Sequence, residues 1–329
     1  MLRSKKILFV SHESSLTGAP RILFEIANYM NDFMDISIVS SASGTIESLY
    51  DIPVIHLEFT EVYIEDFLKK NQYDLIYINS TASFLWVQIA EKLSLKYIFH
   101  THEKMPLNIL ESGINPNNIL CVSHYCKDLS GLLPLKPDNL IYEFINTDFI
   151  DAYIGKPDVI PVQLDVNKKI ILGVGRIIMR KGIDIFIDIA RTMPEYQFLW
   201  IGIDKDKELL KDTPSNFFHI NETTNPYYYM NKCDLFILTS RDDPFPLVVL
   251  EALYMNKPVV CFEQGNGSQE ILNSCGYVLE GYPSMDSAKK FIQNYDFSLI
   301  HESNKMIKEN FSNKVMLPKI KKIIENALC

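Results

Sequence analysis

The chain has 329 residues, 47% of them hydrophobic and 22% charged, a balance that suits two α/β domains of ordinary size and excludes a disordered chain. Its net charge of −9 argues against nucleic acid as a partner. No apolar run approaches the ~18 residues that cross a bilayer, and the first one, Ile7 to Val10, is too short for a signal-peptide core, so a cytoplasmic location is expected. In chain order, Lys6–Val10 reads as a strand and Ala19–Met30 as a helix, with Ile22, Leu23, Ile26, Ala27 and Met30 on one face. Strands follow at Ile36–Ser40 and Leu75–Asn79, a helix at Phe84–Leu93, and strands at Tyr97–His100 and Ile119–Val122. Strands that alternate with helices imply a parallel sheet covered on both faces. Asp151–Asn167 carries Gly155, Pro157 and Pro161 without a helical period and reads as a linker. The alternation then restarts with strand Lys169–Val174, helix Gly182–Arg191, strands Phe198–Ile203 and Leu235–Thr239, helix Leu247–Met255 and strand Pro258–Phe262. A last amphipathic helix is predicted over Asn313–Leu328, with Lys319, Lys321 and Lys322 on a solvated face. The expected domains are therefore 1–150 and 151–329, with a return of the C-terminal helix onto the first domain left open.

The six cysteines form no C-x-x-C pair and no zinc spacing, and four sit among apolar or small residues, as buried free thiols do. His100 follows an apolar strand and reads as a core residue; His102, two positions on, shares its face if the strand continues. No Asp, Glu or His set accompanies this pair on another element, so no metal site is expected. The run Tyr227-Tyr228-Tyr229 reads as packing at a helix start rather than as a stacking platform for a base.

Two tandem α/β domains of this kind are expected to place their parallel sheets on either side of an interdomain cleft, with ligands at the carboxyl ends of the strands. Two loops stand out there. The first, Gly173-Val-Gly175-Arg176 followed by Arg180-Lys181-Gly182, puts basic residues between a strand and a helix N-terminus, where a diphosphate finds cations and backbone donors. Taken alone, the same pattern also suits an ordinary strand–helix loop. The second loop runs from Ser240 through Asp243, Pro244 and Pro246 to Glu251. Its two carboxylates, separated by seven residues, flank the start of a helix, and carboxylates accept hydrogen bonds from vicinal sugar hydroxyls. Glu251 sits between Leu250 and Ala252 in an otherwise apolar helix, an unusual place for a surface acid.

The segments Gly173–Ala190, Cys233–Phe262 and Gly265–Leu272 together resemble the retaining glycosyltransferase family 4, the group 1 glycosyl transferases of two-Rossmann GT-B fold. The first half resembles that family more loosely, through Ser11–Met30, His100–Pro106 and Cys121–Leu129. The resemblance implies that Arg176 and Lys181 neutralise the diphosphate of a nucleotide-sugar donor and that Glu251 binds its ribose. It further implies that Asp243 touches the transferred sugar, that the N–H groups of Leu247 and Val248 help hold phosphate or sugar, and that Gly18 lets backbone approach the donor. His102, with Glu103 beside it, falls on the acceptor side. Arg176, Lys181, Asp243 and His102 are thus the candidate catalytic residues. The resemblance also implies no obligatory cofactor, because basic residues take the part of a metal. Four departures stand out. Asp243 is one methylene shorter than the usual Glu, Pro244 and Pro246 replace glycines common in this loop, the Gly18 loop reads Thr17-Gly18-Ala19-Pro20 instead of two adjacent glycines, and the chain is short for the family, which suggests trimmed acceptor-side loops in residues 40–75.

The reaction so implied is retaining transfer of a sugar from a nucleotide-diphosphate sugar to an acceptor hydroxyl, on a glycan, lipid-linked or protein-linked acceptor. The alternatives are a nucleotide-sugar epimerase of related fold and a non-catalytic sugar-nucleotide-binding partner subunit. A nicotinamide dehydrogenase is disfavoured, since no G-x-G-x-x-G follows the first strand. Residues 1–150 hold 11 Lys/Arg against 18 Asp/Glu, a net of −7. That field opposes docking on anionic lipid, so strong membrane binding is not expected, despite a small patch of Arg3, Lys5 and Lys6.

Overall fold

The protein's structure, a computed structural model, describes residues 5–128, 135–158, 164–221, 223, 225–272 and 274–329. Arg3 of the basic patch and Pro161 of the expected linker lie outside these residues. Two all-parallel, six-stranded sheets form the architecture. The first contains β1 (Lys6–Ser11), β2 (Asp35–Ser40), β3 (Val54–His56), β4 (Leu75–Asn79), β5 (Tyr97–Thr101) and β6 (Ile119–Cys121), in the spatial order β3-β2-β1-β4-β5-β6. The second contains β7 (Ile170–Val174), β8 (Gln197–Ile201), β9 (Phe217–Ile220), β10 (Leu235–Ile237), β11 (Val259–Phe262) and β12 (Tyr277–Leu279), in the order β12-β11-β10-β7-β8-β9. Numbered from its own first strand, the second sheet has the same order as the first. This is the doubly wound Rossmann order, in which the chain reverses direction between β1 and β4, and again between β7 and β10.

The central strands are largely apolar because helices cover both faces of a parallel sheet. In β4, β5 and β8 every residue is buried. Helix Gly18–Asn31 buries Ile22, Leu23, Ile26, Ala27 and Met30, the stripe its period predicts, and Phe24 as well. Helix Ile183–Thr192 does the same for the second core, where Phe186 lies 5.1 Å from the Trp200 ring centre at an interplanar angle of 69°. The Cβ of any larger residue at Gly173 would meet Trp200 at 2.5 Å, so the glycine there serves close packing rather than phosphate approach.

The chain divides into one unit of residues 1–144 with 313–329 and a second of 145–312. The boundary expected at 150/151 instead falls inside a helix, Thr147–Tyr153, and the expected linker begins in that helix. Asn146 caps this helix by accepting from the Phe149 N–H at 3.0 Å. Tyr254 Oη donates to Asp151 at 2.8 Å, and Asn225 donates to the carbonyls of Tyr153 and Lys156, which ties the segment into the second unit. Only Thr147 and Ile150 of this short helix are buried, so its sequence shows no apolar stripe to read. The C-terminal helix Asn313–Leu328 belongs to the first unit: it packs on helix Gly18–Asn31 and β5, burying Met316, Leu317, Ile320 and Ile324. Lys96 Nζ donates to the Leu328 carbonyl at 3.0 Å. Between residues 40 and 75 the chain builds β3 and helix Glu61–Lys70.

Candidate functional site

The second unit gathers its motifs at the switch point between β7 and β10. Past β7, Gly175 leads to Arg176 and a short 3-10 turn, Met179–Lys181. Gly182 then takes a left-handed conformation, φ +71°, and caps helix Ile183–Thr192; a Cβ here would lie 1.9 Å from the Thr239 carbonyl oxygen. Gly175 is packed from the other side, with a Cβ position 3.3 Å from Lys181 Cδ. The glycines thus seat the Lys181 stem against β7 and the loop after β10. The Lys181 ammonium lies 2.5 Å from Asp243 Oδ2, and Ser240 Oγ donates to the same oxygen at 3.2 Å. Asp243 is itself bracketed by backbone: its N–H donates to the Gly265 carbonyl at 2.8 Å, and its carbonyl accepts from the Gly267 N–H at 3.0 Å.

The two loops are stitched together beyond this pair. The Arg241 N–H donates to the Arg180 carbonyl, and the Arg241 guanidinium grips Asp184 with bonds of 2.7 and 2.6 Å. The Asp184 contact raises the Arg241 pKa above its ordinary value. Arg241 therefore holds the loop in shape, beside Arg176, Arg180 and Lys181. Helix Leu247–Tyr254 starts past Pro246 with no side-chain cap. N–H groups in a first helical turn have no acceptor within the helix, and Leu247 and Val248 occupy that turn. Glu251, one turn further on, is 1% exposed and accepts from Tyr227 Oη at 3.1 Å. Tyr227 and Tyr229 are both buried, as packing residues at the start of helix Pro226–Lys232. The sequence signal for the Tyr227 role was that tyrosine run; its partner lies 24 positions away and was not visible.

The first unit's strand ends carry a different set. Gly18 is the first residue of helix Gly18–Asn31, behind the hydroxyl-rich loop that follows β1. His102, 7% exposed, directly follows β5. Its Nδ1 lies 2.6 Å from Glu143 Oε1 and its Nε2 lies 2.7 Å from Asn79 Oδ1. His100 is buried beside it, ring centres 4.3 Å apart, with Nδ1 2.8 Å from Tyr77 Oη. Burial first, and the neighbouring His102 second, hold the His100 pKa well below its ordinary value, so it is a neutral core residue. Glu103 is engaged as well: it accepts from Ser80 Oγ at 2.8 Å and from the Thr81 N–H at 3.0 Å. Ser80, just past β4, has φ +72° and ψ 147°, a combination open almost only to glycine. Such strain persists only where surroundings enforce it, and here Glu103 and the bond from the Ser80 N–H to the His100 carbonyl do so. Glu143, Asn79 and Ser80 carried no motif in the sequence. Among the described residues no group of three or more His, Cys, Asp or Glu is placed to hold a metal ion. The six cysteines are all free, four of them buried.

Two Rossmann units with this strand order and with loops of this kind at both switch points define the class: this is a GT-B fold. The structure of Anabaena Alr3699/HepE in complex with UDP and glucose superimposes with a TM-score of 0.81 at 17% identity, covering 98% of this chain and 100% of that one. Residues 158–313 match the family model described as Glycosyl transferases group 1. In sequence the chain is 24% identical over 184 residues to the alpha-galactosylglucosyldiacylglycerol synthase of Streptococcus pneumoniae, which spans 50% of this chain and 46% of that protein. It is 30% identical over 125 residues to the processive diacylglycerol alpha-glucosyltransferase of Acholeplasma laidlawii, 34% of this chain and 38% of that protein. These matches therefore span less than half the length of either curated relative.

Proposed function

We propose that this chain is a cytoplasmic, retaining glycosyltransferase of family 4 that moves a sugar from a nucleotide-diphosphate sugar to an acceptor hydroxyl. The observation that carries the reading is the Lys181–Asp243 pair at the β7/β10 switch point, seated by Gly175 and Gly182. A largely buried ammonium at the carboxyl ends of a Rossmann sheet is placed to meet a phosphate, because that edge also presents helix N-termini. Lys181 and Arg176 would offset the charge that develops on the departing diphosphate, which is where most of the rate acceleration would arise. Asp243 both holds Lys181 and offers its second oxygen to a sugar hydroxyl. Glu251, oriented by Tyr227, would accept from the ribose hydroxyls. The Leu247 and Val248 N–H groups would donate to phosphate or sugar. In the first unit, Gly18 would admit backbone close to a ligand, and His102 would act on the acceptor side. With both ring nitrogens engaged, His102 is suited to positioning.

The UDP and glucose named for the Anabaena structure support a nucleotide sugar as donor. The acceptor would be a glycan or a lipid- or protein-linked hydroxyl, and the diacylglycerol in the relatives' names supports a lipid-linked one. Lys5 and Lys6 are each paired, with Asp74 at 2.8 Å and Asp35 at 3.4 Å, which leaves little local charge for anionic lipid. The test is a thermal-shift screen against UDP-, GDP- and dTDP-sugars. A ligand at 100 times its Kd raises folding stability by about 2.7 kcal/mol, so one donor should raise the melting temperature clearly. No shift with any of them at millimolar concentration would defeat the reading.

A further inference from the structure

A single chain of hydrogen bonds crosses the carboxyl edge of the first sheet. It starts at Glu143, in the segment after β6, and reaches His102 past β5 at 2.6 Å. It continues to Asn79 at the end of β4 at 2.7 Å, and from Asn79 Nδ2 to the Ala19 carbonyl at 2.9 Å. Ala19 is the residue after Gly18, in the first turn of the helix behind β1. The links thus follow the strand order β6-β5-β4-β1 without a gap. All three side chains are buried.

The chain has a direction set by its donors. Asn79 gives its amide N–H to Ala19, so its oxygen faces His102 and must accept. His102 Nε2 therefore carries a hydrogen. At the other nitrogen a proton lies between Nδ1 and Glu143, whichever of the two atoms bears it. Removing Glu143 frees the ring to rotate, and Asn79 then loses the partner that fixes its amide. We infer that Glu143 is a positioning residue: acting through His102 and Asn79, it fixes the Ala19 end of the Gly18 turn and the ring of His102 in one arrangement. The strained Ser80 backbone, adjacent to Asn79, independently marks this corner as one whose geometry is enforced. The functional part of the inference rests on the proposed roles of Gly18 and His102.

The test compares Glu143→Gln with Glu143→Met, both close to Glu in size. Gln can donate its amide N–H to His102 Nδ1 while Nε2–H still donates to Asn79, so the chain stays complete with a neutral ring. Met fills the space and breaks it. In 15N-resolved NMR of the full chain, the Gln variant should keep the Ala19 and Arg21 amide shifts. The Met variant should move them and lose the hydrogen-bonded His102 ring signal. Transfer measured with the donor found by thermal shift should retain most of its kcat in the Gln variant and fall about tenfold or more in the Met variant. Unmoved amide shifts and full kcat in the Met variant would overturn the inference. So would a Gln variant as slow as the Met variant with its shifts intact, because that pattern belongs to charge and not to position. Shifts that move in the Met variant while transfer is untouched would leave the chain of bonds standing and defeat the site roles of Gly18 and His102.

Discussion

The two sheets share one strand order yet hold their switch points by opposite means. At β7/β10 the second unit uses glycines: Gly175 and Gly182 let backbone and a lysine stem come close, and the polar centre is an ion pair between Lys181 and Asp243. At β1/β4 the first unit uses side chains: Glu143, His102 and Asn79 form a chain of hydrogen bonds, and Glu103 holds Ser80 in a conformation that glycine would adopt freely. The scaffold therefore fixes where a ligand meets the sheet and leaves the chemistry to the loops. A cationic edge suits a phosphate, whereas an edge tied together by side-chain hydrogen bonds suits a surface whose shape must not change.

The comparison can be broken in four places. The largest effect is expected at Gly182. Gly182→Ala adds a Cβ 1.9 Å from the Thr239 carbonyl in a left-handed conformation, so folding stability should fall by more than ~2 kcal/mol in chemical denaturation. A smaller loss would mean that the loop relaxes and is not glycine-built. Next, Lys181→Ala removes a charge-assisted contact to phosphate worth roughly 1.5–3 kcal/mol, about ten- to a hundredfold in donor affinity. It also leaves Asp243 buried without its cation, so the double variant Lys181→Ala/Asp243→Asn should regain stability but not donor affinity. Donor binding that recovers with stability would make the pair structural, like its counterpart in the first unit.

The third effect belongs to the first unit and to pH. His100 is held neutral in the fold, its pKa depressed below 6.5 by burial and by His102. Unfolded chains bind the proton more readily, so this contribution is present above pH 6.5 and is lost as pH falls through 6.5 toward the folded value. One proton sets a slope of about 1.4 kcal/mol per pH unit. His100→Gln should flatten the melting-temperature profile below that pH, and an unchanged profile would assign the acid sensitivity elsewhere. The smallest effect is that of Tyr227→Phe, which removes one hydrogen bond to Glu251 at a cost of about 1 kcal/mol. If Glu251 binds ribose, affinity for the free nucleoside diphosphate should drop a few-fold in this variant and further in Glu251→Gln. Identical affinities in all three proteins would remove Glu251 from the site.

What the sequence determined by itself is local. Apolar period and loop chemistry marked the long central strands, helices such as Gly18–Asn31 and Ile183–Thr192, and the two motif loops around Lys181 and Asp243, because each is encoded within a dozen neighbouring residues. Three-residue edge strands such as Val54–His56 and Tyr277–Leu279 carry too few residues to show a period. Only tertiary structure decided the rest. The repeat of one strand order in both units has no echo in residue identity, since a parallel sheet asks only for apolar strands of suitable length. The C-terminal helix read as amphipathic, but which unit received its apolar stripe depended on a surface built roughly 220 to 300 residues earlier. Glu143 meets His102 across 41 positions, Asn79 meets Ala19 across 60, and Lys181 meets Asp243 across 62. A buried polar group must find a partner, yet nothing in the order of residues says which one; that choice is made where strand ends from distant parts of the chain are brought to a common edge.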